Sequence, residues 1–372
     1  MAEITASMVK ELRERTQAGM SDCKNALKES EGDMAKAVEI LQKKGILKGQ
    51  KAAGKIAAEG AVRASLSADG SLGVAVELNC QTDFVARGDD FKSLLADLTA
   101  AALAHKTPNA EALLGLDAGG KTFADRVTEV TARSGEKHAV RRVALFEAAA
   151  GSFLHTYVHS NDRIAVLTEV ASSDAAHPAV KEFAEDVVLQ VASMSPQYLV
   201  RDDVPADVVA KQREIFSAQM DQEDAAILGE PDAYMERVRL LVIERAQEEG
   251  KELDDPAAEA KRLVTEDAKF KSSLEGFEKA AEKLKARPAA TREKILDGKV
   301  AKWLTEVVLL DQVSVKESSK TLAKIQAEVA GRVPGTRVTR FVRYEVGEGI
   351  EKAATKDFAT EVAEMAAASN KG

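Results

Sequence analysis

The stretch GLDAGGKT, residues 115–122, matches the G-x-x-x-x-G-K-[ST] spacing with which nucleotide-hydrolysing enzymes cradle phosphates. Such a loop needs a buried strand running into it and a helix leaving it. Its lead-in, TPNAEALLGL, starts on Pro-Asn, carries Glu111 and reads as a short helix, so a polar turn before a helix over 122–133 is the better reading. VVLLD at 307–311 imitates the metal-binding strand of such enzymes, but with Trp303 it continues the helical spacing of KVAKWLTEVVLL. Cys80 has no local partner, and a cysteine nucleophile needs a histidine or a helix N-terminus to lower its pKa. His155 and His159 would share one face of a strand, yet two ligands without a third make a poor metal site. The paired acids between 203 and 300 read as solvated helix faces. What remains is VELNCQTDFVARGDD, residues 76–90, which places Asp83 and Phe84 side by side just past a strand end. Phe84 either folds back onto the helix that follows or faces a partner. Met20, after TQAG at a helix start, is likewise either a staple within its own module or an exposed contact.

The bulk properties narrow the classes. The 372 residues suffice for two or three domains, and a chain 45% apolar, 30% charged and only 4% aromatic favours a largely helical protein. A net charge of −9 argues against broad nucleic-acid binding, which needs basic surface to neutralise phosphates. The two cysteines, Cys23 and Cys80, form no CxxC pair and indicate neither a disulfide framework nor a zinc site. No apolar run approaches the roughly 18 residues of a membrane span, and MAEITASMVKELRERT lacks the apolar core of a signal sequence. A reducing cytoplasm fits best.

The elements that would position these residues fall into blocks. Residues 1–48 read as a three-helix module: Ile4, Met8 and Leu12 have helical spacing, Gly19 breaks it, Ser21-Asp22 opens a second helix, and Met34, Ala37, Val38 and Leu41 line a third. A Lys/Ala/Gly-rich linker at 49–56 follows. Core subdomain N, 57–145, starts with strands AVRASL and SLGVAVEL around SADG, and continues into a helix marked by Phe91, Leu94, Leu95 and Leu98. The pattern recurs from 146 to 202, where FLHTYVH and RIAVLTEV flank SND before a helix through Val180, Phe183, Val187, Val188 and Val191. Two hairpin-plus-helix units suggest a pseudo-duplicated α+β core, alike in architecture and weakly alike in residues. Residues 203–300 read as a helical insertion with apolar Val238, Leu241, Val242, Leu274, Phe277 and Leu284. GEPDAY, DDPAAE and ARPAAT should break it into several helices. Strand-like VTRFVRYEV returns within the second part of subdomain C, 301–350, and an amphipathic helix over 355–369, bearing Phe358, Val362 and Met365, forms a C-terminal module at 351–372.

Three signatures occur together and in order: ITASMVKELRERTQAGMSDCKNALKES near the start, NCQTDFVAR after the strand, and RYEVGEGIEK near the end. With them the chain resembles the bacterial elongation factor Ts family, guanine nucleotide exchange factors for elongation factor Tu. The likeness covers 1–200 and 300–372. It implies a predominantly helical α+β protein with a ubiquitin-associated-like N-terminal module, a two-part core, a coiled-coil insertion and a C-terminal helical module. It also implies no covalent chemistry, no cofactor, no membrane and no direct nucleic-acid contact, with elongation factor Tu as the partner. In the family the turn matching Thr82, Asp83, Phe84 and Val85 inserts into the GTPase, so the resemblance implies that Phe84 wedges between two partner helices and disturbs the nucleotide's magnesium network. Arg13 and Met20 match N-terminal contact positions, and His159 matches a core position at the interface. Ser21 stands where some members carry a second Met, and RSGEKHAVRR at 133–142 matches the family's turn there only in part. In some relatives the protrusion pairs complexes, and here the excursion at roughly 225–288 is long. Two rival classes are a nucleotide hydrolase built on GLDAGGKT and a helical scaffold centred on 203–300.

Overall fold

The computed structural model describes residues 4–16, 20–41 and 56–351. The break expected at Gly19, the linker up to residue 55 and the C-terminal helix lie outside them. Helices α1 (Ala6–Thr16), α2 (Met20–Glu29) and α3 (34–41) bring Leu12, Cys23, Ala26, Leu27 and Ala37 together with no exposed surface. Asp33 starts α3, its carboxylate accepting the Ala35 and Lys36 N–H groups at 2.9 and 3.0 Å.

The first half of the core runs β1 (Glu59–Leu66), β2 (Leu72–Cys80), α4 (Asp83–Ala86), α5 (Asp89–Ala104), α6 (Ala110–Leu114), α7 (Phe123–Ser134) and β3 (Ala139–Glu147). The second runs β4 (Ser152–Val158), β5 (Ile164–Ala171) and α8 (Pro178–Met194), and resumes after a long insertion with α13 (Leu322–Arg332) and β6 (Arg337–Glu345). Each half forms an antiparallel three-stranded sheet, in the orders β1-β2-β3 and β4-β5-β6. The central strands are buried on both faces, because helices cover one side and the other sheet covers the opposite side. Val74, Val76, Leu78 and Cys80 alternate towards α5, α6 and α7, while Ala75 packs with Val62, Ala165, Tyr344 and Val346 between the sheets. Close approach of the sheets depends on Gly73: a Cβ there would lie 2.7 Å from Leu167 Cδ1 and 3.1 Å from Leu154 Cδ1.

The two halves share an architecture and several matched positions. KTFADRVTEV at 121–130 and KTLAKIQAEV at 320–329 open α7 and α13 in the same way. Thr122 and Thr321 are the N-caps, and Lys121–Glu129 and Lys320–Glu328 pair at 2.5 and 2.8 Å. The third strands repeat as well. Arg142 of β3 and Arg340 of β6 sit opposite Glu77 of β2 and Glu169 of β5, and the register shifts just after each glutamate. Each arginine also reaches across to the other sheet. Arg142 lies 4.3 Å over the Tyr344 ring and donates to the Glu345 carbonyl at 2.9 Å; Arg340 lies 4.1 Å over Phe146 and donates to the Glu147 carbonyl at 2.6 Å. The glutamates complete the clasp by accepting the Gly347 and Ala149 N–H groups at 3.0 and 2.7 Å. Glu77 has no exposed surface and also accepts from Arg141 at 3.1 Å, so its buried charge is fully partnered.

Val200–Gln312 forms a second compact unit. It contains α9 (Ala206–Glu248), α10 (Pro256–Glu266), α11 (Ala268–Lys285) and α12 (Ala289–Val307). Val238, Ala260 and Val264 form its core with Tyr234, Phe270 and Leu274. Pro256 starts α10 and Pro288 caps α12, as the sequence suggests, but Pro231 breaks nothing. It sits inside the 43-residue α9, held there by the helices packed along it. The helical spacing expected through VVLLD stops at Val307, where a 3-10 turn at Leu309–Asp311 takes over.

Candidate partner-binding turn

Strand β2 ends at Cys80 and the chain leaves the sheet through Gln81 and Thr82. Thr82 is extended (φ −123°, ψ 151°) and caps α4, its hydroxyl accepting the Val85 N–H at 3.3 Å. A four-residue helix is marginal alone, and contacts from outside hold this one. The Glu136 carboxylate, from the loop after α7, accepts both the Thr82 N–H (3.0 Å) and the Thr82 hydroxyl (2.8 Å). The Cys80 thiol donates to the Thr82 carbonyl at 3.1 Å. Asp83 pairs with Arg87 at 2.8 Å, an exposed i,i+4 contact worth only about 0.3–0.5 kcal/mol. On this clamped turn Phe84 is 84% exposed, while Phe91 at the start of α5 is 1% exposed.

Beneath the turn lies a cavity of about 370 Å³ lined by Phe84, Val85, Phe91, Val130, Arg133 and His138. His138 is buried, with its ring 5.8 Å from Phe91. Its Nδ1 lies 3.0 Å from the Glu136 carbonyl, which can only accept, so Nδ1 carries the proton. Burial holds the His138 pKa below its ordinary value against the pull of that carbonyl, leaving a neutral ring. Burial, with the nearby Glu136 charge, pushes the Cys80 thiol up to about 12, the opposite of what a nucleophile needs.

The remaining predicted site residues lie on other elements. Exposed Arg13 is on α1, and Met20, 57% exposed, opens α2. His159 follows β4, its Nδ1 2.8 Å from the Tyr157 hydroxyl, and His155 pairs instead with Glu185 at 2.8 Å. Thus Thr82, Asp83, Phe84 and Val85 form one contiguous surface, while Arg13 and Met20 belong to the helical module and His159 to the other hairpin. Among the described residues no three His, Cys, Asp or Glu side chains are grouped to hold a metal ion, and no helix is long and apolar enough to cross a membrane. GLDAGGKT follows helix α6 rather than a strand, and Lys121 is engaged by Glu129. Sequence reasoning missed Glu136. It lies in the quoted RSGEKHAVRR, but nothing local marks its bond to Thr82.

The fold and its clamped turn define a duplicated α+β core carrying an inserted helical unit and one outward-facing aromatic. The chain belongs to the elongation factor Ts family of translation elongation factors: it matches the family described as Elongation factor TS over residues 81–250 and 250–348. It is 38% identical over 370 residues to Elongation factor Ts of Symbiobacterium thermophilum, covering 98% of this chain and 99% of that one. Elongation factor Ts of Bdellovibrio bacteriovorus is 37% identical over 367 residues, 97% of each chain, and that of Clostridium perfringens 36% identical over 365 residues, 97% and 99%.

Proposed function

We propose that this chain is a cytoplasmic guanine nucleotide exchange factor for elongation factor Tu, performing no covalent chemistry and needing no cofactor. The Thr82–Val85 turn enters the GTPase, and Phe84 wedges into it and disturbs the magnesium and nucleotide site. Arg13, Met20 and His159 add contacts from the ubiquitin-associated-like module (1–48) and from the second part of the core. Subdomain N (57–145) carries the wedge, subdomain C (146–202 with 301–350) the second grip, and the coiled-coil insertion (203–300) and C-terminal module (351–372) are accessory. Neither membrane nor nucleic acid takes part.

The observation that supports this reading is Phe84, 84% exposed on a turn whose backbone is held from outside. Exchange is a coupling between two ligands: whatever ratio the factor imposes on GDP affinity, GDP imposes on the factor. A tenfold acceleration needs about 1.4 kcal/mol of barrier lowering. Burying a Phe supplies about 1.5–3 kcal/mol, so Phe84 accounts for one to two decades and the other contacts for the rest. The test is release of a fluorescent GDP analogue from elongation factor Tu with catalytic amounts of the chain. Multiple-turnover acceleration is expected, and Phe84→Ala should slow it about 10- to 100-fold while shifting stability by less than about 0.5 kcal/mol. A Phe84→Ala protein that melts much earlier would make Phe84 a core residue and end the wedge account.

A further inference from the structure

Glu136 makes no partner contact in the proposed function, yet the structure spends an unusual amount of order on it. Its backbone is gripped on both sides. The Glu136 N–H donates to Ser134 Oγ at 3.1 Å, and its carbonyl accepts from Ser134 Oγ at 3.3 Å and His138 Nδ1 at 3.0 Å. The His138 N–H in turn donates to Thr131 Oγ1 at 3.2 Å, which ties the loop to the last turn of α7. Gly135 makes the reversal by closing α7 in the left-handed region at φ +74°, where a side chain would be strained. The carboxylate so presented takes two donors from one residue, Thr82, which is the N-cap of the helix bearing Phe84.

The duplicated core supplies an internal comparison. The corresponding crossing in the second half joins the turn after β5 to the loop after α13. There the Ser173 N–H donates to the Pro334 carbonyl at 3.1 Å, and the Ser172 and Thr336 hydroxyls lie 3.1 Å apart. The carboxylate nearest that crossing, Asp174, accepts the Ala176 N–H at 3.0 Å within its own turn, and that turn, SSDAAHP, has no counterpart of Phe84. The second half therefore holds this point with one backbone hydrogen bond and a hydroxyl pair, without a bridging carboxylate. The acidic, bidentate version occurs in the half that exposes a phenylalanine.

We infer that Glu136 is a positioning residue for nucleotide exchange, fixing the N-cap Thr82 so that the Phe84 side chain is presented in one orientation before the partner arrives. The inference rests on the exchange reading. Pre-ordering matters because a loose turn must be ordered during the exchange step, at the expense of the barrier lowering that wedge insertion supplies. Docking through the other contacts is left intact, so the loss falls on the turnover rate rather than on the concentration of GTPase needed.

The experiment compares full-length wild type, Glu136→Ala, Glu136→Gln, Thr82→Val, Phe84→Ala and Glu136→Ala/Phe84→Ala in stimulated GDP release, titrating elongation factor Tu·GDP. Glu136→Ala should lower kcat about tenfold with KM within about twofold, and Thr82→Val, which keeps the N–H donor but also removes the hydroxyl that caps α4, should lower kcat at least as much. Glu136→Gln, which keeps one acceptor and can donate to the Thr82 hydroxyl, should recover most of the rate. In the Phe84→Ala background Glu136→Ala should change nothing further, because its effect passes through that ring. Chymotryptic cleavage after Phe84 in the free protein, read as a rate against an unchanged melting temperature, should rise several-fold in Glu136→Ala. Equal losses from Glu136→Ala with and without Phe84, or a rate loss that follows a fall in melting temperature in Glu136→Gln as well, would make Glu136 merely structural and overturn the inference. If wild type fails to accelerate release, the exchange reading falls instead, and the cleavage rates still report whether Glu136 orders the turn.

Discussion

Phe84 and Phe91 stand on either side of the start of α5 and meet opposite fates, 84% and 1% exposed. Phe91 follows the helical period into the core, whereas Phe84 sits on a turn clamped by Glu136 from the loop after α7, and its ring has been left outside. A large exposed aromatic has a physical cost in water and reads as a contact surface. The buried charges follow the reverse logic, surviving inside because each is fully partnered. Burial pushes the Glu169 carboxyl up, but the Ala149 N–H and the Arg340 guanidinium outweigh it and hold its pKa below the ordinary 4.5. A carboxylate with a depressed folded-state pKa adds stability that is present above the unfolded value and is lost as pH falls through the folded one. Glu169→Gln should therefore lower the melting temperature at pH 7, by the equivalent of a few kcal/mol for a broken buried pair. It should also flatten the decline between about pH 5 and 3. Melting curves of both proteins across that range are the check, and parallel acid limbs would mean that Glu169 titrates alike folded and unfolded.

Among the elements, α9 shows best where pattern reading succeeds and where it does not. Helix starts at Pro256 and Pro288 were legible because proline suits the first turn, where its missing N–H is unneeded. Pro231 looked like another boundary, but it lies inside a 43-residue helix because packing by α10 and α11 outweighs one lost hydrogen bond. Restoring that bond is a direct test: Pro231→Ala should stabilise the helical unit by about 1–3 kcal/mol, read as a shift in its denaturant midpoint. No gain would mean that α9 kinks to suit Pro231 and is optimised around it. The β1–β2 hairpin was legible from its strand patterning around SADG, and α5 from Phe91, Leu94, Leu95 and Leu98, all of which are buried. The clamp on Thr82 was not, because its acceptor lies 54 residues away. The matched KTFADRVTEV and KTLAKIQAEV segments escaped notice for a related reason. The helical unit separates the second segment from its own hairpin, so the two halves differ in length even though their strands and caps agree.

At the scale of the whole molecule, that duplication shows where the chain tolerates interruption. In the first half, residues 105–120 suffice to carry α5 to the start of α7; in the second, the same connection contains the whole unit Val200–Gln312. The return point is anchored without it. Fully buried Gln190 of α8 donates to the Val313 carbonyl at 3.1 Å and accepts the Val315 N–H at 2.9 Å, and Lys316 pairs with Asp186 of α8 at 2.5 Å. The reciprocal clasp of Glu77, Arg142, Glu169 and Arg340 lies entirely in the sheets. A chain in which a short Gly/Ser linker joins Leu199 to Val313 should thus unfold cooperatively and keep both the Phe84 turn and the His159 hairpin. In the GDP-release assay it should retain activity within about tenfold of the full chain, a loss of no more than about 1.4 kcal/mol in the barrier. Sedimentation of the two proteins with elongation factor Tu would show whether the insertion also pairs complexes. A folded deletion variant that no longer binds the GTPase would shift the function onto the helical unit. Retained exchange would place it on the duplicated core, where Phe84 and Glu136 already lie.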